Sequence, residues 1–389
     1  MLKELINHSA DLQLLLKDGY EMEIVEQGFL LIHNVPYVTP EKVVRRGTLV
    51  SNLYHSGGQT IKPQWHAAFF IGEYPSSAEG AKLNFVVSEA KTAISEKYTA
   101  DFILSAKADY ADHYQKMISY LKLLTHQAEE LEPGVTAATY KVYEPVEADS
   151  VFEYADTNST KALIHPITAK LKGQKVAIIG LGGTGSYILD MLAKTPVSEI
   201  HLFDGDTFFQ HNAFRAPGAA SKTKLYERLK KTDYFQEIYA HMHKGIVSHP
   251  YELSADMLAE LDTMTTVFLA MDPSPVKKLI IDYLVSRKIP VFHTGIGLQD
   301  VDGAIRGQVK VTTIVHEHYA HAASKISFAE PDDNIYEQNI QIADLNALNA
   351  ILAVIRWKKM FGFYKDHDSE YFSNYVIYTN EIHNSELPV

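Results

Sequence analysis

Residues 175–192 read KVAIIGLGGTGSYILDML, and this stretch decides the fold. A short apolar run rich in β-branched residues meets a cluster of glycines, and apolar residues at helical spacing follow. Strand, tight turn and helix N-terminus in that order form a cradle for a phosphate group. Gly180, Gly182 and Gly185 let the backbone turn sharply and approach a ligand, where a Cβ would obstruct it. By itself the glycine pattern points to a nucleotide and no further.

The next apolar run, 200–203, ends in Asp204-Gly205-Asp206. A carboxylate roughly twenty residues past the glycine turn is placed to accept hydrogen bonds from a ribose. Asp204 and Asp206 therefore join the candidate nucleotide set. An NAD-dependent oxidoreductase would show this much, but it leaves Asn212, Arg215 and Lys224 unexplained. Those side chains offer an amide, a forked guanidinium and a point-charge ammonium, which suit a triphosphate. Farther on, TVFLAMD ends a third apolar run at Asp272. A carboxylate at a strand end can hold Mg²⁺ through one oxygen while the metal keeps several waters. Asp272 also precedes Pro273 and Pro275, where it could instead cap the following helix.

The ordered set G-x-G-G-x-G, D-x-D, N-x-x-R, a following Lys and a strand-end Asp resembles the ThiF/MoeB and ubiquitin-activating superfamily, over about residues 161–380. Members of that superfamily adenylate the C-terminal carboxylate of a ubiquitin-like protein or sulfur carrier. The resemblance implies that Gly180, Gly182, Gly183 and Gly185 form the nucleotide loop and that Asp204 holds the ribose. It further implies phosphate contacts from Asn212, Arg215 and Lys224, a metal at Asp272, and ATP with Mg²⁺ as cofactors. Catalysis would rest on Arg215, Lys224 and Asp272. A homodimer is implied too, with a conjugating enzyme or sulfur donor as a further partner.

The chain departs from the family in places. Ala216 follows the motif Arg where many relatives have Gln, and NSTKALI offers Lys161 where relatives have an Arg that reaches the partner protomer. There is no cysteine, so neither zinc-binding Cys pairs nor an acceptor cysteine can exist. Transfer would then go directly to an external acceptor. Rival readings are adenylation of a peptide or small acid, and a non-catalytic adapter that binds a ubiquitin-like protein.

At 389 residues the chain is long enough for two cores, and 46% hydrophobic with 22% charged residues is ordinary for a globular protein. The net charge of −12 argues against a nucleic-acid surface. No run approaches the roughly 18 apolar residues of a membrane span. The opening MLKELINHSADLQLLLKDG is an amphipathic pattern carrying acids, unlike a secretory signal, so a cytoplasmic location is expected.

The stretch EPVEADSVFEYADTNST, 144–160, is acidic, polar and aperiodic and reads as a linker. It divides a small α+β domain, 1–143, from an adenylation domain, 161–389. In the first, FLLIHNVPYV and HAAFFIGEYP read as strands, DYADHYQKMISYLKLL as a helix and TAATYKVY as a closing strand. Its order loosely resembles the ubiquitin-conjugating fold, and a partner-binding role is the expectation it raises. The second domain alternates strand and helix, which predicts a Rossmann-like, mostly parallel α/β sheet with added antiparallel strands around 306–315. A helix is expected near 224–231. The helix 341–357 carries Ile342, Leu345, Leu348, Leu352 and Ile355 at helical spacing and should be buried. His316, His318 and His321 have a spacing at which imidazoles can bind zinc, but no fourth ligand is obvious and the favoured reading is polar surface. Ser324 and Ser327 are the oxygen nucleophiles nearby.

Overall fold

The structure, a computed structural model, describes residues 5–6, 8–25, 28–142, 150–162, 164–328 and 340–385. The chain forms two compact units, residues 1–143 with 160–163, and residues 144–159 with 164–389.

In the first unit the strands are β1 (Met22–Val25), β2 (Phe29–Val38), β3 (Val44–Asn52), β4 (His55–Ser56), β5 (Gln59–Thr60), β6 (Ala68–Ile71), β7 (Val86–Ala93) and β8 (Thr99–Leu104). Among the described residues, six of them make an antiparallel sheet in the order β1-β2-β3-β6-β8-β7, and β4 pairs with β5. Strand periodicity divides β2 between two cores. Leu30 and Ile32 face the helix His113–Leu131, while Leu31 joins Val50 and Phe69 on the other side. The helix buries Met117, Tyr120, Leu121, Leu124 and Ala128 at the spacing of one face. It also buries Lys116, whose Nζ donates to the Trp65 carbonyl at 2.8 Å; burial pushes this amine down to about 8. The closing strand expected at 136–143 is absent from the described part of that stretch. Ala138 makes only an isolated bridge to Tyr20, because Tyr140 adopts φ +48° and turns the chain away.

The second unit contains β9 (Lys175–Ile179), β10 (Glu199–Phe203), β11 (Ile246–His249), β12 (Thr266–Leu269), β13 (Val291–Val301), β14 (Ala304–Ile314), β15 (Phe372–Val376) and β16 (Glu381–Ser385). Their order is β11-β10-β9-β12-β13-β14-β15-β16. The first five are parallel and the rest antiparallel, which gives the Rossmann-like α/β sheet with an antiparallel extension. Val176 and Ile178 pack with the helices Gly183–Leu192 and Ala343–Met360; Ala177 and Ile179 pack on the opposite face, with the helix Pro275–Ser286. The chain runs outward from β9 through β10 to β11, then returns to β12 on the other side of β9. The strand order therefore reverses between β9 and β12, and in open sheets of this kind ligands bind at the C-terminal strand ends beside such a reversal.

Two local expectations differ from the structure. The helix near 224–231 is two helices, Lys222–Glu227 and Lys231–Tyr239, because Arg228 is left-handed at φ +53° and cannot continue the first. The helix Ala343–Met360 buries the leucine and isoleucine stripe only in part: Ile342, Leu345, Leu348 and Leu352 are half-buried and Ile355 is exposed. Its innermost residues are Asn346, Asn349, Ala350, Ala353, Val354, Arg356 and Trp357, whereas Ile351 and Ile355 are exposed. The glycine-loop helix lies directly against this helix, with Asn346 set against Gly183.

Candidate active site

The glycine loop is held by close backbone contacts. Gly180 has φ +91°, and a Cβ there would stand 2.5 Å from the Ala270 carbonyl oxygen at the end of β12. At Gly185 a Cβ would overlap the carbonyl oxygen of Gly180 itself. The helix Gly183–Leu192 that follows has Gly182 as its N-cap, with no side-chain cap and no acidic residue in its first turn. Its first N–H groups and positive dipole end are thus left for an anion.

Asp204 continues from β10 and reaches back to this loop. Its Oδ2 accepts from Leu181 N at 2.7 Å and its Oδ1 from Asp206 N at 2.9 Å. A third donor had no signal in the sequence. Lys231 Nζ lies 2.6 Å from Asp206 Oδ2 and 3.4 Å from Asp204 Oδ2, and both Lys231 and Asp204 are buried. A lysine at the start of a polar helix reads as surface charge. Only the left-handed turn at Arg228 returns it to the Asp pair.

Asn212 is buried, and its Oδ1 accepts from Phe209 N at 2.8 Å, which shapes the loop ahead of Arg215. That loop is joined to the glycine helix by Asn346, a residue the sequence reading passed over. Asn346 Oδ1 accepts from Thr184 Oγ1 at 3.2 Å, its Nδ2 donates to the Arg215 carbonyl at 3.4 Å, and a Cβ on Gly183 would overlap its carboxamide. The available signal was an asparagine inside an apolar helical run. Arg215 Nε is buried without a hydrogen-bond partner among the described residues. Ala216, in the place of the family's Gln, is buried in the core.

Lys224 is not drawn into this cluster. Its Nζ pairs with Glu227 at 2.7 Å and Glu237 at 2.6 Å, and these two carboxylates raise it to about 12. No contact among the described residues joins it to the glycine loop or to Asp204.

Asp272 follows β12, whose Leu269 pairs with Ile179 of β9, so its loop leaves beside the glycine loop. The helix-capping role belongs to Ser274, whose Oγ accepts from Lys277 N at 3.3 Å. Asp272 is exposed and makes no hydrogen bond among the described residues. One open carboxylate, completed by phosphate oxygens and water, suits Mg²⁺. Beneath it Lys277 is buried with Nζ 3.4 Å from His293 Nε2. Burial pushes Lys277 down to about 8, opposed by the charge of Asp272; burial, aided by Lys277, pushes His293 down to about 3, so the imidazole is neutral.

The histidine trio does not form a zinc site. His316 Nδ1 and His321 Nε2 are within 2.9 Å of the Val285 and Thr313 carbonyls, and His318 packs on Tyr371. No group of three metal-binding side chains occurs among the described residues. Ser324 Oγ donates to the His321 carbonyl, and Ser327 is exposed. No helix among the described residues is long and apolar enough to cross a membrane. The side chain of Lys161 lies outside the described set.

Residues 10–157 match a domain of unknown function, DUF6791. No curated protein matches the chain. Solved structures similar to it include E. coli MccB with MccA-N7isoASN, 17% identical over 59% of this chain and 67% of that one, TM-score 0.47. E. coli MccB with ATP is 18% identical over 58% and 67%, TM-score 0.46. PaaA is 18% identical over 57% and 75%, TM-score 0.44. The glycine loop, the Asp pair, the Asn–Arg loop and the strand-end Asp all fall within residues 155–388, and that segment, more than half of the chain, matches the ThiF family: the chain belongs to it and carries an adenylyltransferase-type nucleotide-binding domain.

Proposed function

We propose that the protein uses ATP to adenylate a carboxylate at the end of a peptide, a class that includes the tail of a ubiquitin-like or sulfur-carrier protein. What supports this reading is the reversal of strand order between β9 and β12: an uncapped helix N-terminus follows β9, Asn346 ties the Arg215 loop to that helix, and the open Asp272 carboxylate follows β12. A substrate carboxylate oxygen attacks the α-phosphorus, the bond to the bridging oxygen breaks, and pyrophosphate leaves. Backbone N–H groups of Gly182, Gly183 and Gly185 hold the phosphates, and the Asp204–Asp206 pair accepts from the ribose. Arg215 and the amide of Asn212 offset the charge that builds on the phosphates. Mg²⁺, when bound, neutralises phosphate charge, and Asp272 is the residue that would hold it.

Without cysteine the chain cannot form a thioester with its product, since the thiolate is the nucleophile that makes one at neutral pH. The expected result with ATP and a peptide substrate is pyrophosphate exchange and a tightly bound acyl-adenylate, with no reductant-sensitive band on denaturing electrophoresis. A band cleaved by hydroxylamine instead would overturn direct transfer to an external acceptor and point to Ser324 or Ser327. Comparing short peptides with ubiquitin-like proteins in the same assay separates the substrate classes. The non-catalytic adapter is favoured by one observation, the capture of Lys224 by Glu227 and Glu237; it requires that no substrate support exchange.

The protein is also read as a homodimer, because Ile351 and Ile355 stand exposed on the helix Ala343–Met360. Sedimentation at micromolar concentration should show a species of about twice the 43.7 kDa chain, and a monomer alone would refute the dimer.

A further inference from the structure

We propose that Lys310 and Lys325 form a specificity site that reads an acidic side chain close to the carboxyl end of the peptide substrate; this rests on the adenylation reading above. Residues paired directly across antiparallel strands share a face of the sheet. Lys310 of β14 is paired with Gly295 of β13 on one side and with Asn374 of β15 on the other, and Gln308 is paired with Gly297. On that face β13 therefore presents two glycines in succession. A Cβ on Gly297 would meet nothing within 4 Å, and one on Gly295 would meet only the His293 ring, at 3.6 Å. A strip of strand without side chains lets an extended chain lie close to the backbone.

The lysines stand at the edge of this strip without counter-charges. Phe372 is paired with Thr312, two residues from Lys310, and Lys325 Nζ lies 4.4 Å from the centroid of its ring. Both ammonium groups thus reach the same face. Burial, aided by the charge of Lys325, pushes Lys310 down from the usual lysine value. Neither lysine makes a hydrogen bond or an ion pair among the described residues. Acids outnumber bases in this chain by 48 to 36, so two neighbouring cations left unpaired stand out against the rest of the surface. A carboxylate set between them would relieve their repulsion and gain charge-assisted hydrogen bonds.

Charge alone would also suit a phosphate, but the position does not. The phosphate cradle follows β9 and the Asp pair follows β10, whereas β14 lies three strands from β9 in the opposite direction, roughly 14 Å away. From the end of β12, beside the glycine loop, β14 is two strands away, about 10 Å or about three extended residues. The anion is therefore the side chain of a Glu or Asp roughly three to five residues before the substrate carboxylate.

The test is ATP–pyrophosphate exchange by the full chain with N-acetylated alanine octapeptides that carry a single Glu, Gln or Lys at the third, fourth or fifth residue from the carboxyl end. The wild type should use the best Glu peptide with a kcat/KM roughly tenfold or more above that of its Gln counterpart, the size of a hydrogen bond to a charged group. In Lys310→Gln and in Lys325→Gln that ratio should fall, and in the double variant it should drop to about twofold or less. The charge-reversed pair Lys310→Glu/Lys325→Glu should favour the Lys peptide instead. Merely structural lysines would slow the Glu and Gln peptides alike. A ratio unchanged in the variants, or a ratio near one in the wild type, overturns the inference and leaves the adenylation reading standing. Wild-type chain that supports exchange with none of the peptides would overturn peptide adenylation, and this inference with it.

Discussion

Replacing Asp272 by Asn is expected to lower ATP–pyrophosphate exchange by about two orders of magnitude or more, the loss seen when one stabiliser of developing charge is removed. The substitution keeps the size and shape of the side chain and removes only its charge. Asp272 is exposed, makes no hydrogen bond among the described residues, and leaves helix capping to Ser274. Within the fold its charge only opposes the downward shift of the buried Lys277 amine, so thermal unfolding of the variant should stay close to the wild type. Exchange that survives at near wild-type rate in a folded variant would remove Asp272 from the site. A loss of exchange accompanied by lowered stability would point to a structural role the geometry does not show.

The second large effect is expected at Gly185. An alanine methyl at this position overlaps the carbonyl oxygen of Gly180, a backbone atom that cannot rotate out of the way. Gly180 in turn rests on Ala270 at the end of β12, so the turn has little room to retreat. Gly185→Ala should destabilise the second unit by about 3 kcal/mol, the upper range for overpacking a filled interior. It should also abolish nucleotide binding, because the helix N-terminus must shift away from β9. Gly182→Ala is the control for stability alone, since a Cβ there meets no protein atom within 4 Å. Denaturant titration and nucleotide titration of both variants check this. Equal stability of the two variants would show that the loop is looser than its contacts imply.

Strand and helix periods, glycine placement and the chemistry at strand ends are local properties, and they were legible in the chain. From them came the parallel sheet, the loop at Gly180–Gly185, Asp204 and the position of Asp272. The motif order was enough to point to the ThiF family, and the lack of cysteine excluded a thioester before any geometry was known. What the sequence could not supply were contacts made by residues far apart in the chain. Asn346 lies more than 150 residues from Gly183, and whether a polar residue in an apolar helix faces solvent or a glycine depends on what packs beside it. Lys224 and Lys231 look alike as charges on adjacent polar helices. One pairs with glutamates in water and the other is buried against Asp204, because a left-handed residue between the helices redirects the chain. The choice between capping and an open carboxylate at Asp272 likewise depended on the position of a neighbouring hydroxyl. Local sequence fixes periodicity and chemistry, but burial and pairing are set by the surroundings, and in this protein those came only from the packing of distant elements.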